Sequence, residues 1–373
     1  NPRNPQYNHF MFESIAVLVK SVCSKDPNLT TSFEGLLFPP FEAVLQMDVF
    51  EFIPYVFQVL AQLLEYRPAD SGLGESYTML FAPLLTPTLW ERKGNIPALT
   101  RLICAYLGKA AAELSSSLMG ILGVFQKLVS SKANEVSAFE LLQALVQYVP
   151  QEMMAPHLQS LFQILMMRLQ HGKSARYIRL LTHFFAVFIG KFGGQAYMDS
   201  LNALQPGMGL MLLVQIWLPR LQSDLPAQKV EAKAQVVGLT KLLCDTPALL
   251  SDVDGQRVWA QALAMVVALL TSQGSVLAGG GLGDTANEDD EPMEVAVIGY
   301  DATFSHLHFA KRPVQDPFVS MKDPAMDFVR ALHGLSQSQG PGRLQPIIQQ
   351  GLSSDPKLSA GLETMFQKAG LNL

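Results

Sequence analysis

The stretch of sequence that decides the fold is residues 49–66, VFEFIPYVFQVLAQLLEY. Its apolar residues recur every three or four positions, the spacing that places side chains on one face of an α-helix. They are Val49, Phe52, Ile53, Val56, Leu60, Leu63 and Leu64, and the polar residues on the opposite face are Glu51, Gln58, Gln62 and Glu65. We therefore expect an amphipathic helix with one buried face and one face exposed to water.

Similar apolar stripes begin near residues 8, 49, 95, 136 and 174. The intervals are about 40 residues, which matches the period of HEAT and armadillo repeats. An amphipathic helix cannot bury its apolar face alone, and a series of such helices stacks into a solenoid. The sequence predicts an all-α fold, a HEAT-repeat solenoid in which helix pairs form an α-α superhelix shaped as an elongated arch. Within it, Asn95 is placed to cap a helix that begins with Pro97.

The regular pattern ends after Leu270 and divides the chain into three parts. Residues 1–271 are predicted to be stacked HEAT repeats with helix pairs about 40 residues apart. Residues 272–299 hold six acidic residues, a run of three glycines and no Lys or Arg, so we expect an acidic Gly-rich loop or insertion. Residues 300–373 are predicted to be a C-terminal docking segment and capping helices. The apolar residues expected to dock are Phe304, Leu307 and Phe309.

Composition narrows the possible functions. Hydrophobic residues make up 49% of the chain and charged residues 16%, and the net charge is −5. A negative net charge argues against direct nucleic-acid binding as the main function. No stretch offers the roughly 20 apolar residues that a membrane span needs, so membrane insertion is not expected. The opening Asn1–Pro5 has no initiator methionine, and we expect the chain to be a piece of something longer.

No pattern in the sequence predicts catalysis, a metal or a cofactor. The Gly-rich run 279–283 lacks the Lys-Ser/Thr pair of a phosphate-binding loop. His306 and His308 have no further ligand at suitable spacing for a metal. The three cysteines lie far apart among apolar residues, as buried free thiols in a reducing compartment would. We expect a protein that is not an enzyme.

One basic cluster surrounds a turn between two predicted helices. It consists of Arg168, Lys173, Arg176 and Arg179. Such a cluster is either a solvated rim with local salt bridges or a contact for an acidic surface. The acidic surface could belong to a partner or to the acidic segment of this chain.

Several ordered blocks of sequence resemble one known family. They include EFIPYVFQ (51–58), LWER (89–92), GNIP (94–97), GVFQKL (123–128), SKAN (131–134) and GLTKLL (238–243). In this order they are similar to the C-terminal portion of the CAS/Cse-type exportins, the importin-α re-exporters of the karyopherin-β family. The resemblance runs over essentially the whole chain.

The resemblance implies a transport function. It implies a HEAT-repeat superhelix that binds importin-α together with Ran-GTP, shuttles between nucleus and cytoplasm, contacts FG-repeat nucleoporins and has no catalytic activity. This part would supply cargo contacts and secondary Ran contacts. On that basis the candidate partner-binding residues are Glu91, Arg92, Asn95, Arg168, Lys173, Arg176, Arg179, Glu288, Asp289, Asp290 and Glu291. The alternative is a HEAT-repeat scaffold of another protein complex.

Overall fold

The computed structural model describes residues 4–272, 306–311, 314–340 and 342–372. Within these ranges the regular structure is helical and no β-strand occurs, which confirms the predicted all-α fold. The chain divides into two compact units. Unit 1 is Asn1–Met154 with Pro292–Pro313, and unit 2 is Ala155–Glu291 with Val314–Leu373. Nearly all of the predicted acidic loop, 272–299, lies outside the described residues, so the predicted three-part division stays a prediction.

Unit 1 is built from helix pairs joined by short turns. Its helices are α1 Pro5–Cys23, α2 Thr30–Gln46, α3 Ile53–Tyr66, α4 Glu75–Leu84, α5 Ile96–Ala110, α6 Leu118–Val129, α7 Glu135–Tyr148 and α8 Gln151–Met154. Helix α1 packs on α3, α3 on α5, and α5 on α7, so alternate helices form one continuous layer. Helix α2 packs on α3, and α6 packs on α7. This alternation is the arrangement expected of stacked repeats, in which each element contacts its neighbours.

Helix α3 departs from the predicted amphipathic pattern. Every residue from Ile53 to Leu64 is buried. Gln58 and Gln62, expected on the wet face, are only 3% and 2% exposed. The prediction was wrong because residues 306–311, far away in sequence, cover that face of α3 and bind both glutamines.

Unit 2 continues with more irregular helices. They are α9 Leu158–His171, α10 Ala175–Phe192, α11 Gly194–Asn202, α12 Met208–Leu212, α13 Leu218–Ser223, α14 Lys229–Asp245, α15 Val253–Ser272, α16 Pro324–Gln339, α17 Gln345–Leu352 and α18 Pro356–Ala369. Between α12 and α13 the chain makes a π-helical turn, Leu213–Trp217. Helix α10 packs on α14, α14 on α15, and α15 on α17.

The crossing of α10 and α14 depends on a glycine. A Cβ atom added at Gly238 in α14 would lie 2.5 Å from the Cα of Ala186 in α10. Side chains of ordinary size cannot enter such a space, so the two backbones are in direct contact here. Gly238 is the first residue of the GLTKLL block, and this contact gives that position a physical reason.

Buried hydroxyls tie neighbouring helices together. Tyr77 in α4 donates to the carbonyl of Leu60 in α3 at 2.9 Å, and Tyr106 in α5 donates to the carbonyl of Tyr77 at 2.8 Å. In unit 2, Tyr177 donates to the carbonyl of Leu165 at 2.9 Å. A buried hydroxyl without a partner would destabilise the fold. These bonds therefore fix the separation of successive helices.

Candidate functional site

The first candidate surface is the turn Glu91–Asn95 between α4 and α5. It follows a short 3₁₀ helix, Pro87–Trp90, whose indole donates to the carbonyl of Leu84 at 2.9 Å. The bond anchors the turn, because Trp90 is buried. Glu91 lies beyond it on the surface, 3.8 Å from the ammonium of Lys127 in α6.

Arg92 makes a bidentate ion pair with Asp48. Its Nη1 and Nη2 donate to the two carboxylate oxygens at 2.7 and 2.5 Å. Asp48 ends α2 with a φ of 50°, a left-handed conformation that Asp tolerates better than most residues. The guanidinium lowers the pKa of the Asp48 carboxyl through this hydrogen bond. Both side chains remain about half exposed, at 45% and 58%.

Asn95 has a different role from the predicted one. It makes no side-chain cap for α5, and its amide instead donates to the carbonyl of Leu89 at 3.2 Å. The capping prediction was wrong because a 3₁₀ turn, Lys93–Asn95, leads directly into α5 and leaves Asn95 in helical conformation. Asn95 is buried, so Glu91 and Arg92 are the members of this group that reach the surface.

The second candidate surface is the basic turn between α9 and α10. Arg168, in the last part of α9, is mostly buried. Its Nη1 donates to the carbonyl of Gly172 at 3.1 Å, and its guanidinium carbon lies 4.9 Å from the ring centre of Tyr177. Ser174 caps α10 by accepting from the amide of Tyr177 at 3.1 Å. Arg168 therefore shapes the turn, with a cation–π contact among its interactions.

Arg179 joins a buried ionic cluster that the sequence did not reveal. Its Nε and Nη2 donate to one carboxylate oxygen of Glu231, in α14, at 3.1 and 2.6 Å. Arg220, in α13, donates to the other oxygen at 2.8 Å. Glu231 is 2% exposed. Two guanidinium groups thus share one buried carboxylate, and this arrangement holds Arg179 in place on α10.

His183 lies one turn further along α10, beside this cluster. Burial, with the two nearby arginines, lowers its pKa to about 4, although the Glu231 carboxylate acts in the opposite direction. Its Nδ1 is buried without a hydrogen-bond partner among the described residues. The imidazole is therefore neutral at physiological pH.

Lys173 and Arg176 complete the basic turn. Lys173 is exposed and Arg176 is half-buried. The stretch 168–179 contains four cations and no carboxylate, so the turn presents positive charge to solvent. The predicted acidic residues Glu288, Asp289, Asp290 and Glu291 lie outside the described residues. Sequence reasoning missed Asp48, Arg220 and Glu231, because their partners are distant in sequence and each residue type is ordinary for an exposed position.

The described ranges show neither a metal cluster nor a membrane-spanning helix. They contain no group of three or more His, Cys, Asp or Glu side chains placed to hold a metal ion. The described helices also include none that combines the length and the apolar character required to cross a bilayer. Cys23 and Cys104 are buried thiols outside any disulfide, and Cys244 is partly buried. Burial raises the pKa of Cys23, and it raises that of Cys244 to about 12.

The fold and these two surfaces define a helical-repeat protein with charged turns, a class that binds partners along its stacked helices. The chain belongs to the CAS/CSE protein family: the sequence profile of the family's C-terminus matches residues 1–360.

Curated relatives agree with this assignment. The chain is 36% identical to exportin-2 of Xenopus laevis over 361 residues, which cover 95% of this chain and 36% of the relative. It is 35% identical to exportin-2 of Homo sapiens over 361 residues, which again cover 95% of this chain and 36% of the relative. Exportin-2 of Drosophila melanogaster is 33% identical over 375 residues, 100% of this chain and 37% of the relative. The chain thus spans little more than a third of these relatives.

A solved structure has the same fold. The exportin Cse1 in its cargo-free, cytoplasmic state superposes with a TM-score of 0.75 at 23% sequence identity. The match covers 97% of this chain and 35% of that one. It confirms the predicted HEAT-repeat solenoid.

Proposed function

We propose that this chain is part of a nuclear export receptor that binds importin-α together with Ran-GTP and returns importin-α from the nucleus to the cytoplasm. The observation that carries this proposal is the match of the CAS/CSE profile to residues 1–360. It is supported by relatives that bear the name exportin-2 and by a structural neighbour described as an exportin with a cargo-free state.

In this proposal the chain acts by binding and not by catalysis. Stacked helices offer a long surface on which many modest polar contacts add up around a few anchors. Such a receptor shuttles between nucleus and cytoplasm, and FG-repeat nucleoporins are its proposed contacts during passage through the pore. Nucleotide hydrolysis belongs to Ran.

The basic turn is the proposed contact for an acidic surface of a partner. Lys173 is exposed and Arg176 is half-buried, and Arg168 and Arg179 bind Gly172 and Glu231. Long-range attraction between such a turn and an acidic surface speeds association and is weakened by salt. The turn Glu91–Arg92 is the proposed second contact, where ion pairs can be exchanged for bonds to a partner.

Calorimetric titration of importin-α into this chain tests the function. We expect binding that strengthens when Ran is loaded with GTP and not with GDP. Binding that ignores the nucleotide would favour a HEAT-repeat scaffold of another complex. No binding by this chain and none by a chain of the relatives' full length would contradict the transport function.

Charge reversal at the basic turn tests the surface. Lys173→Glu with Arg176→Glu should weaken importin-α binding about three- to tenfold, with a flatter salt dependence. Arg179 is left unchanged, because its reversal would disrupt the buried cluster. The matched control reverses two exposed lysines elsewhere in unit 2, Lys322→Glu with Lys357→Glu. If the two double variants bind importin-α with equal affinity, the basic turn is a solvated rim and not a contact.

A further inference from the structure

Residues 306–311 form a strap that lies across α1 and α3 within unit 1. Three side chains on these helices bind its main chain. Gln58 accepts from the amide of Leu307 at 2.9 Å. Glu13 accepts from the two following amides, those of His308 and Phe309, at 2.5 and 3.2 Å. Gln62 donates to the carbonyl of Phe309 at 3.0 Å. None of these four bonds depends on the identity of a strap side chain.

Two side chains of the strap are buried against α1 and α3. Leu307 and Ala310 are buried, at 2% and 1% exposure. His308 and Phe309, between them, are more exposed, Phe309 at 37%. Peptide-binding domains commonly combine main-chain hydrogen bonds for affinity with pockets for a few side chains for selectivity. The face of α1 and α3 has the same two components.

The groove contains a buried charge that the strap satisfies. Glu13 is 9% exposed, and burying a carboxylate is costly unless it accepts hydrogen bonds. Within the described residues its two oxygens accept from the strap amides. The imidazole of His9 is the further polar group nearby, at 3.6 Å. The carboxylate therefore binds the first two amides of the 3₁₀ turn His308–Ala310, which such a turn leaves without an internal partner.

We propose that the face of α1 and α3 formed by Glu13, Gln58 and Gln62 is a peptide-binding groove, and that the strap occupies it as a replaceable internal ligand. Its external ligand would be a short segment that forms the same 3₁₀ turn, with a large aliphatic residue followed three positions later by a small residue. The covalent connection holds the strap at a high effective concentration, on the order of millimolar. A partner segment of this pattern would therefore bind by displacing the strap. The groove shares no residue with either charged turn, and the inference does not depend on the transport function.

Releasing the strap tests the groove. In the whole chain, Leu307→Asp replaces the buried anchor by a charge. A fluorescent peptide with the sequence of residues 306–311, HLHFAK, is then titrated by fluorescence anisotropy. We expect this variant to bind the peptide at least about tenfold more tightly than the wild-type chain, in which the strap occupies the groove. Adding Glu13→Gln to the released chain should weaken binding about tenfold, because a charge-assisted bond to two amides is lost.

Altered peptides test how the groove recognises its ligand. A peptide with Ala in place of His308 should keep its affinity, since that side chain is exposed. A peptide with Asp in place of Leu307 should not bind. Equal binding of HLHFAK to wild-type and released chains would place the peptide elsewhere and overturn the proposal. So would no binding to a released chain that retains its helical circular dichroism.

If the released variant does not fold, hydrogen exchange of the wild-type chain tests the groove instead. An excess of HLHFAK should speed exchange of the amides of Leu307, His308 and Phe309, because these lose protection while the peptide occupies the groove. Unchanged exchange of these amides at saturating peptide would mean that the strap is a permanent part of unit 1.

Discussion

Two charged clusters in this molecule use the same residue types in opposite ways. In unit 1, Arg92 pairs with Asp48 on the surface, where both side chains are about half exposed. In unit 2, Arg179 and Arg220 share Glu231, which is almost completely buried. Both clusters have short, well-aligned bonds. Their difference lies in how much water surrounds the charges.

Water decides what each cluster can do. An exposed ion pair contributes little to stability, because solvent and salt screen it and water solvates each partner when it opens. The Arg92–Asp48 pair can therefore open with little loss of stability. In a buried cluster the charges have already lost their hydration, and removal of one member leaves the others unpaired. The Glu231 cluster is accordingly a fixed support that orients the basic turn.

Of the substitutions that test this contrast, Glu231→Gln is expected to have the largest effect on stability. The substitution keeps the shape of the side chain and removes the charge that two arginines share. We expect the free energy of unfolding to fall by about 3–5 kcal/mol, the usual effect of breaking a buried ion pair. Urea denaturation followed by circular dichroism measures this, with Glu363→Gln on the exposed face of α18 as the control. A loss below about 1 kcal/mol would mean that the cluster behaves like a surface pair.

The next effect concerns His183 and pH. Its pKa is about 4 in the folded chain against an ordinary value of 6.5, so between these values the unfolded chain binds more protons. The contribution of the neutral His183 to the free energy of unfolding is therefore fully present above pH 6.5. It is lost as the pH drops towards 4, by up to about 3 kcal/mol. Urea denaturation of the wild type and of His183→Gln, from pH 7 to pH 4, should show their difference in unfolding free energy changing across this window. A difference that is constant with pH would contradict the burial of a neutral imidazole.

The smallest effect is expected for Arg92→Ala. Because the pair with Asp48 is solvated, the denaturation midpoint should stay within the error of the measurement at physiological salt. The same variant should raise the pKa of Asp48 towards its ordinary value, since the guanidinium is the main cause of its lowering. Carboxyl titration followed by NMR measures that change. A clear loss of stability would show that this turn is as rigid as the Glu231 cluster.

The sequence could predict the parts of this structure that depend on local pattern. The helical stripe of residues 49–66 predicted the helix that the structure shows as α3. Its recurrence about every 40 residues predicted the repeat architecture. Ordered blocks such as EFIPYVFQ led to the family. The basic turn was located from composition alone, as four cations without a carboxylate.

Contacts between distant residues could not be predicted. Gln58 and Gln62 have the pattern of an exposed stripe, but the strap, more than 240 residues away, binds both of them, and α1 also binds Gln62. Arg179 has the pattern of a surface cation, and Glu231 lies 52 residues further along the chain. Helical periodicity reports which side of a helix is apolar, whereas burial of a polar residue depends on what the fold later brings against it.

The contact of Gly238 with Ala186 has a mechanical consequence. Where two backbones touch, α10 and α14 cannot slide or roll without a collision, so this crossing acts as a rigid joint. Deformation of unit 2 must then be taken up where the helical geometry is irregular, and the π-helical turn Leu213–Trp217 is such a place. We therefore expect stiffness to vary along unit 2, and Gly238 places one stiff region at the crossing of α10 and α14.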